Sequence, residues 1–279
     1  MSASINTLIK QSPLIRRESE MIIEHVLGIS RAAVIAHSGR VLDDSQEQQA
    51  LQMIARRAGG EPMAYILGSR EFYGLDFMVT PDVLIPRPET ELLVEQALAR
   101  LSSLPAPEGA RMLDLGTGSG AIAISVARHF PAVNVTATDV SRRALAVAQR
   151  NAAAQGVKVN FIDSDWYSAL GNKTFDLIVA NPPYIAAGDK HLAEGDLRFE
   201  PITALTDGVA GGNGLACIRH IVNDAPPHLN NGGWLLFEHG YDQSSVCAGL
   251  LDARGFADVC SFNDLAGIPR VAGGRWNDR

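Results

Sequence analysis

The chain has 279 residues, 46% hydrophobic and 20% charged, the balance of a globular protein with room for a large core and one or two domains. Its formal charge of -7 and pI of about 5.5 disfavour a partner held chiefly through phosphates, so no direct nucleic-acid contact is expected; the chain is also expected to be a monomer. Cys217, Cys247 and Cys260 are widely spaced with no C-x-x-C pair, which argues against a zinc site or a disulfide framework. The opening MSASINTLIK lacks a signal-peptide pattern, and no apolar run approaches the ~18 residues of a membrane span. A cytoplasmic protein with no metal and no membrane association is the expectation.

The first ~70 residues read as short helices with no strand pattern between them. Leu14, Ile15, Met21, Ile22, Ile23, Val26 and Leu27 share a helical face that Gly28 can close. A second helix is expected from Asp43 or Asp44, carrying Ala50, Leu51, Ile54 and Ala55, to Gly59-Gly60. Residues 71–88 read as a connector, with a hairpin over Glu71–Val79 around Gly74. From residue 89 onward a third region begins with a helix over Glu89–Leu101 and a proline-containing loop.

Beyond Arg111, strands and helices alternate. Strands are expected at Arg111–Leu115, Val133–Thr138, Val159–Ile162, Phe175–Ala180 and Trp234–Phe237. Helices are expected over Ser119–Phe130, from the Ser141 cap to about Gln155, and over Leu215–Leu229. This alternation implies an α/β fold with a doubly wound parallel sheet, in which ligands gather at the carboxyl ends of the strands.

The first of these strands ends in Asp114-Leu-Gly116-Thr117-Gly118-Ser119-Gly120, where glycines permit a sharp turn and close approach to a ligand. Such a run serves nucleotide cofactors and an adenosyl sulfonium alike. Asp114 tips the balance, because a carboxylate suits a ligand with a cationic amino group better than a pyrophosphate. No G-x-x-x-x-G-K-[ST] run exists, so a P-loop NTPase is excluded. Asp139, at the second strand's end, can accept from both ribose hydroxyls or cap the following helix, a duty open equally to Ser141. After the third strand, Trp166 offers a flat wall for an adenine, or fills the core, and Asp165 can accept from an exocyclic amine.

The fourth strand delivers Asn181-Pro182-Pro183-Tyr184. Two prolines fix the backbone and remove two N–H donors. A planar –NH2 group has two hydrogens to satisfy: the Asn181 oxygen can take one and the Pro182 carbonyl the other, with the Tyr184 ring against the group. A conjugated nitrogen is a poor nucleophile, so positioning and polarisation must do the catalytic work. A nucleic-acid amino methyltransferase acting on adenine N6 and a non-catalytic cofactor-binding module are the competing readings.

The glycine loop, Asp139, Asp165-Trp166 and Asn-Pro-Pro-Tyr together resemble the class I S-adenosylmethionine-dependent methyltransferases. Ile85-Pro-Arg-Pro-Glu-Thr-Glu91, Arg198-Phe-Glu-Pro201 and Ala204-Leu205 narrow this to a resemblance with the HemK/PrmC family, over nearly the whole chain. The resemblance implies a seven-stranded Rossmann-like sheet, a small N-terminal helical substrate-binding domain, and N5-methylation of the glutamine in the Gly-Gly-Gln motif of peptide chain release factors. By position, Gly116, Thr117, Gly118, Ser119, Gly120, Asp139, Trp166 and Asn181 would line S-adenosyl-L-methionine. Asn181, Pro182, Pro183 and Tyr184 would hold the glutamine, with Asn181, Pro182 and Tyr184 catalytic. Arg87 and Glu89 would order the interdomain segment or serve a purely structural role. Glu238-His239, Arg16-Arg17 and Arg56-Arg57 read as structural or solvated.

Overall fold

The computed structural model describes residues 3–278, and the chain divides into two compact units between Ser69 and Arg70. The first unit is helical: α1 (Ile5–Gln11), α2 (Arg16–Leu27), α3 (Arg31–Ala36), α4 (Asp44–Ala58) and α5 (Met63–Leu67). Its core gathers Ile5, Leu8, Ile22, Ile23, Val34, Met53 and Ile54. Asp43 and Gln46 form a reciprocal capping box at the start of α4, satisfying donors that the first turn leaves orphaned. Gly28 closes α2 at φ 61°, a left-handed backbone that costs glycine little. Three residues expected on these apolar faces are exposed: Ile15, which precedes α2, at 67%, Leu51 at 49%, and Ala55. Arg16, Arg17, Arg56 and Arg57 pair with Glu20, Glu24, Glu61 and Glu18 respectively.

A hairpin follows, of β1 (Ser69–Phe72), whose first residue closes the first unit, and β2 (Leu75–Met78). Its corner, Tyr73-Gly74, has positive φ at both residues, the backbone that matches the twist of a two-residue hairpin. A 3-10 turn at Pro88–Thr90 leads into α6 (Glu91–Ser102). There follow β3 (Arg111–Leu115), α7 (Ala121–His129), β4 (Asn134–Asp139), α8 (Arg142–Gln155), β5 (Asn160–Asp163), β6 (Phe175–Ala180), β7 (Ile185–Ala187), β8 (Thr206–Ala210), α9 (Ala216–Asp224), β9 (Leu229–Glu238), α10 (Ser244–Arg254), β10 (Ala257–Asn263) and β11 (Pro269–Arg275).

Seven strands form the main sheet in the order β10-β11-β9-β6-β3-β4-β5. The five from β9 to β5 run parallel, and β11 lies antiparallel to both β9 and β10. Side chains of period two divide between two cores. Met112, Leu177, Val179 and Leu236 face one, and Leu113, Leu115, Ile178 and Phe237 the other. Burial on both faces explains why β3 and β6 are mostly apolar rather than alternating. From β3 the chain winds outward through β4 and β5, then returns to β6 on the opposite flank. The switch point between β3 and β6 is where such sheets leave a crevice.

Sequence periodicity passes over β10 and β11. Pro269, Gly273 and Gly274 are poor strand formers, yet the glycines are required by packing. A Cβ on Gly273 would stand 2.4 Å from Leu236 Cδ2, and one on Gly274 2.8 Å from Phe256 Cβ. The expected helix over Leu215–Leu229 is shorter, because Pro226-Pro227 turns the chain into a 3-10 step and β9 already begins at Leu229. Among the described residues no helix is long and apolar enough to cross a membrane.

Candidate active site

A cavity of about 560 Å³ opens over the carboxyl ends of β3, β4, β5 and β6. Gly116, Thr117, Gly118 and Ser119 line it from β3, Asp139 from β4, Asp165 and Trp166 from β5, and Asn181 and Pro183 from β6. The residues read from sequence as scattered strand-end features therefore converge on one space.

The glycine loop turns through φ values of 70°, 56° and 84° at Gly116, Gly118 and Gly120. Gly116 sits against the Trp166 ring, whose nearest carbon is 3.5 Å from where a Cβ would stand. Trp166 itself holds φ 47°, costly for a bulky residue, and the Ser164 hydroxyl steadies it by donating to the Trp166 carbonyl at 2.9 Å. Loop and tryptophan thus brace each other. Trp166 both lines the cavity and packs against the core.

Gly120 does not line the cavity. Its Cβ would meet Ile124 Cδ1 at 2.6 Å and Ala148 Cβ at 3.2 Å, so its task is to let α7 and α8 approach. Asp114 also differs from the expectation. It is fully buried beneath the loop, receives the Thr117 hydroxyl at 2.6 Å, and leaves Oδ1 without a partner among the described residues. Burial pushes its carboxyl up to about 7. It faces no ligand space and acts on the loop from below.

Asp139, part-buried, lines the cavity at the end of β4. Its Oδ2 accepts from Gly118 N–H at 2.9 Å and its Oδ1 from Ser141 N–H at 2.8 Å, while the α8 cap falls to the Ser141 hydroxyl. Each carboxylate oxygen keeps a further lone pair for a ligand hydroxyl. Burial raises its pKa, against the backbone donors of Ser141, Gly118 and Val140.

On the β6 side, Asn181 Nδ2 donates to Thr90 Oγ1 at 3.1 Å. Pro182 is buried and falls in the chain between the two lining residues Asn181 and Pro183, with Tyr184 just beyond them. The Tyr184 hydroxyl donates to Glu238 Oε1 at 3.0 Å, and both desolvation and the Glu238 charge push that phenol far above its ordinary range. Gln243 Nε2 donates to the Tyr184 carbonyl at 3.0 Å and to the Asn213 carbonyl at 3.2 Å, fastening the loop from the far side. Glu200 receives Ile85 N–H at 3.0 Å and pairs with Arg87, joining the two flanking segments into one wall of the cavity. Arg87 therefore orders the cavity within the second unit.

The chain is 52% identical over 271 residues to a release factor glutamine methyltransferase of Bordetella pertussis, covering 97% of this chain and 98% of that one. It is 50% identical to one of Burkholderia pseudomallei, covering 98% and 96%. The family models for the PrmC N-terminal domain and the methyltransferase small domain match residues 5–68 and 91–196. The chain belongs to the release factor glutamine methyltransferase family. Its fold also matches a methyltransferase of Pyrococcus furiosus with a TM-score of 0.55 at 20% identity, covering 80% of this chain and 98% of that one.

Within this family member, sequence reasoning missed Thr90, Gln243 and the contact of Glu238 with Tyr184. Thr90 lies inside the Pro-Arg-Pro-Glu-Thr-Glu segment, but nothing local shows that its hydroxyl meets Asn181. Glu238 ends β9 beside β6, and a buried acid at a strand end of the active face is the signal that could have drawn attention to it.

Proposed function

We propose that this protein transfers a methyl group from S-adenosylmethionine to the N5 side-chain amide of the glutamine in the Gly-Gly-Gln motif of peptide chain release factors. The observation that carries the reading is the position of Asn181 on the same cavity wall system as the glycine loop, Asp139 and Trp166.

The cavity fits the cofactor. Glycines at 116 and 118 leave room for close backbone approach, Asp139 keeps lone pairs for ribose hydroxyls, and Trp166 presents an aromatic wall for adenine, with Asp165 beside it. When bound, S-adenosylmethionine supplies an already activated methyl group on a sulfonium. The chain's own residues supply position and polarisation. The Asn181 oxygen accepts one glutamine N–H and the Pro182 carbonyl the other, which fixes the direction of the nitrogen lone pair. Those acceptors strengthen as positive charge develops on nitrogen, and the proton departs to solvent afterwards. Tyr184 acts through the loop, since its hydroxyl is committed to Glu238. The helical unit, up to about residue 70, grips the protein substrate. The hairpin and linker of 71–88 connect it to the methyltransferase domain of 89–279, and the enzyme works as a cytoplasmic monomer.

The test incubates purified protein with methyl-labelled cofactor and, separately, release factor, release factor with the loop Gln replaced by Ala, DNA and RNA. Label in release factor alone, absent from the Gln variant, is the expected result. Label in nucleic acid, or equal label in both release factors, overturns it.

A further inference from the structure

Tyr184 is held at both ends from the close of β9 and the turn that follows it. Its hydroxyl donates to Glu238 Oε1 at 3.0 Å, and its carbonyl accepts from Gln243 Nε2 at 3.0 Å. Gln243 stands just before α10 and is 8% exposed. Its Oε1 accepts from Gly240 N–H at 2.8 Å, and Nε2 also donates to the Asn213 carbonyl at 3.2 Å. The oxygen and both amide hydrogens of this side chain are thus engaged, on Gly240, Tyr184 and Asn213.

Exchanging oxygen and nitrogen would set the oxygen against two carbonyls and the NH2 against an N–H, so the amide has one workable orientation. Gly240 leaves it little spare room, since a Cβ there would stand 3.1 Å from Gln243 Oε1. Gly214 brings bare backbone against the same Tyr184 carbonyl, where a Cβ would stand 2.1 Å from the oxygen. A hydrogen bond from one residue and close packing by another therefore confine that carbonyl. Two residues upstream, the Pro182 carbonyl is the acceptor assigned to a glutamine N–H. The pyrrolidine ring of Pro183 fixes φ between them, so a shift at Tyr184 reaches Pro182 with little slack.

We infer that Gln243 is a positioning residue for methyl transfer. Its carboxamide ties the Tyr184 carbonyl to Asn213 and Gly240, and so sets where the Pro182 carbonyl meets the substrate amide. The inference rests on the methyl transfer proposed above.

Gln243→Met keeps the length and removes the amide, whereas Gln243→Glu keeps the shape and turns an ionised carboxylate onto two carbonyls. We expect kcat to fall roughly 10-fold in the first and roughly 100-fold in the second, with cofactor Kd within about threefold of wild type. Wild-type kcat in either folded variant, or equal losses of kcat and cofactor affinity, overturns the inference. Crystal structures of wild type and Gln243→Met read the loop without any methyl acceptor. The Pro182 carbonyl is expected to differ in position by roughly 1 Å between them. A carbonyl that stays in place overturns the inference. Should wild-type enzyme fail to label release factor, the proposed function falls, while the crystal comparison still decides whether Gln243 places the loop.

Discussion

The two halves of the cavity are built by different means. The glycine-loop half is local. Residues 114–120 make the turn, Asp139 ends the adjacent strand with Ser141 just beyond it, and backbone N–H groups of Gly118 and Ser141 hold the Asp139 carboxylate. The Asn181 half is assembled from afar, by Thr90, Glu200, Glu238 and Gln243, each on a different element. A site made of backbone tolerates loss of a side chain, whereas one made of relayed side chains does not. Binding is thus entrusted to the robust half and turnover to the exacting one.

The sharpest way to break that contrast is Asn181→Ala. Removing the acceptor that meets developing charge lowers kcat by about 10²- to 10³-fold, by analogy with the loss of a single transition-state hydrogen bond. Cofactor Kd, measured by calorimetry, stays within about threefold. An equal loss in both quantities would place Asn181 in uniform binding and erase the distinction between the halves.

Gly214 probes the same half from behind. A Cβ there would stand 2.1 Å from the Tyr184 carbonyl oxygen, and φ is 72°, so Gly214→Ala must shift the reactive loop. We expect kcat to drop roughly 10-fold or more with cofactor affinity little changed. Wild-type turnover in a folded Gly214→Ala protein would show that the loop's placement is not set by this contact.

This difference in construction also governs what was legible in the chain. β3 and β6 were readable to the residue, because burial on both faces leaves each mostly apolar, with Met112, Leu113 and Leu115 in one and Leu177–Ala180 in the other. The glycine loop was readable because its geometry is demanded within seven consecutive residues. β10 and β11 were not, because Gly273 and Gly274 weaken strand propensity for the sake of close packing against Leu236 and Phe256. β7 and β8 were hidden for a related reason: they are short, and the latter contains Gly208. At the site, Asn181 announced itself through its prolines, but Thr90 and Gln243 carry no local signature. Their meaning exists only once α6, β9 and α10 are folded around the loop.

Asp114 tests the glycine half through pH. Its folded pKa of about 7 lies above the ~3.9 of an unfolded aspartate, so the folded state holds a proton that the unfolded chain releases. The resulting stability is complete below about pH 4, shrinks as pH rises, and is lost above about pH 7. Asp114→Asn removes this titration. Between pH 5.5 and 8 the wild type is expected to lose about 2 kcal/mol relative to the variant, measured by denaturant unfolding. A difference between the two proteins that does not change with pH would mean the carboxyl ionises in the fold with an ordinary pKa.

The mildest perturbation, Ser141→Ala, separates two duties that sequence alone left open. Its hydroxyl accepts from Ala144 N–H at 3.2 Å as the α8 cap, whereas its own N–H, which the substitution keeps, donates to Asp139. Loss of the cap costs about 1 kcal/mol of stability. Asp139 remains fixed by its two backbone donors, so cofactor Kd is expected to stay within about twofold. A large loss of affinity would mean that capping and ligand binding share one side-chain device, and the cofactor half would then resemble the Asn181 half after all. An unchanged Kd with lowered stability leaves Asp139 free for a ribose, held by backbone alone.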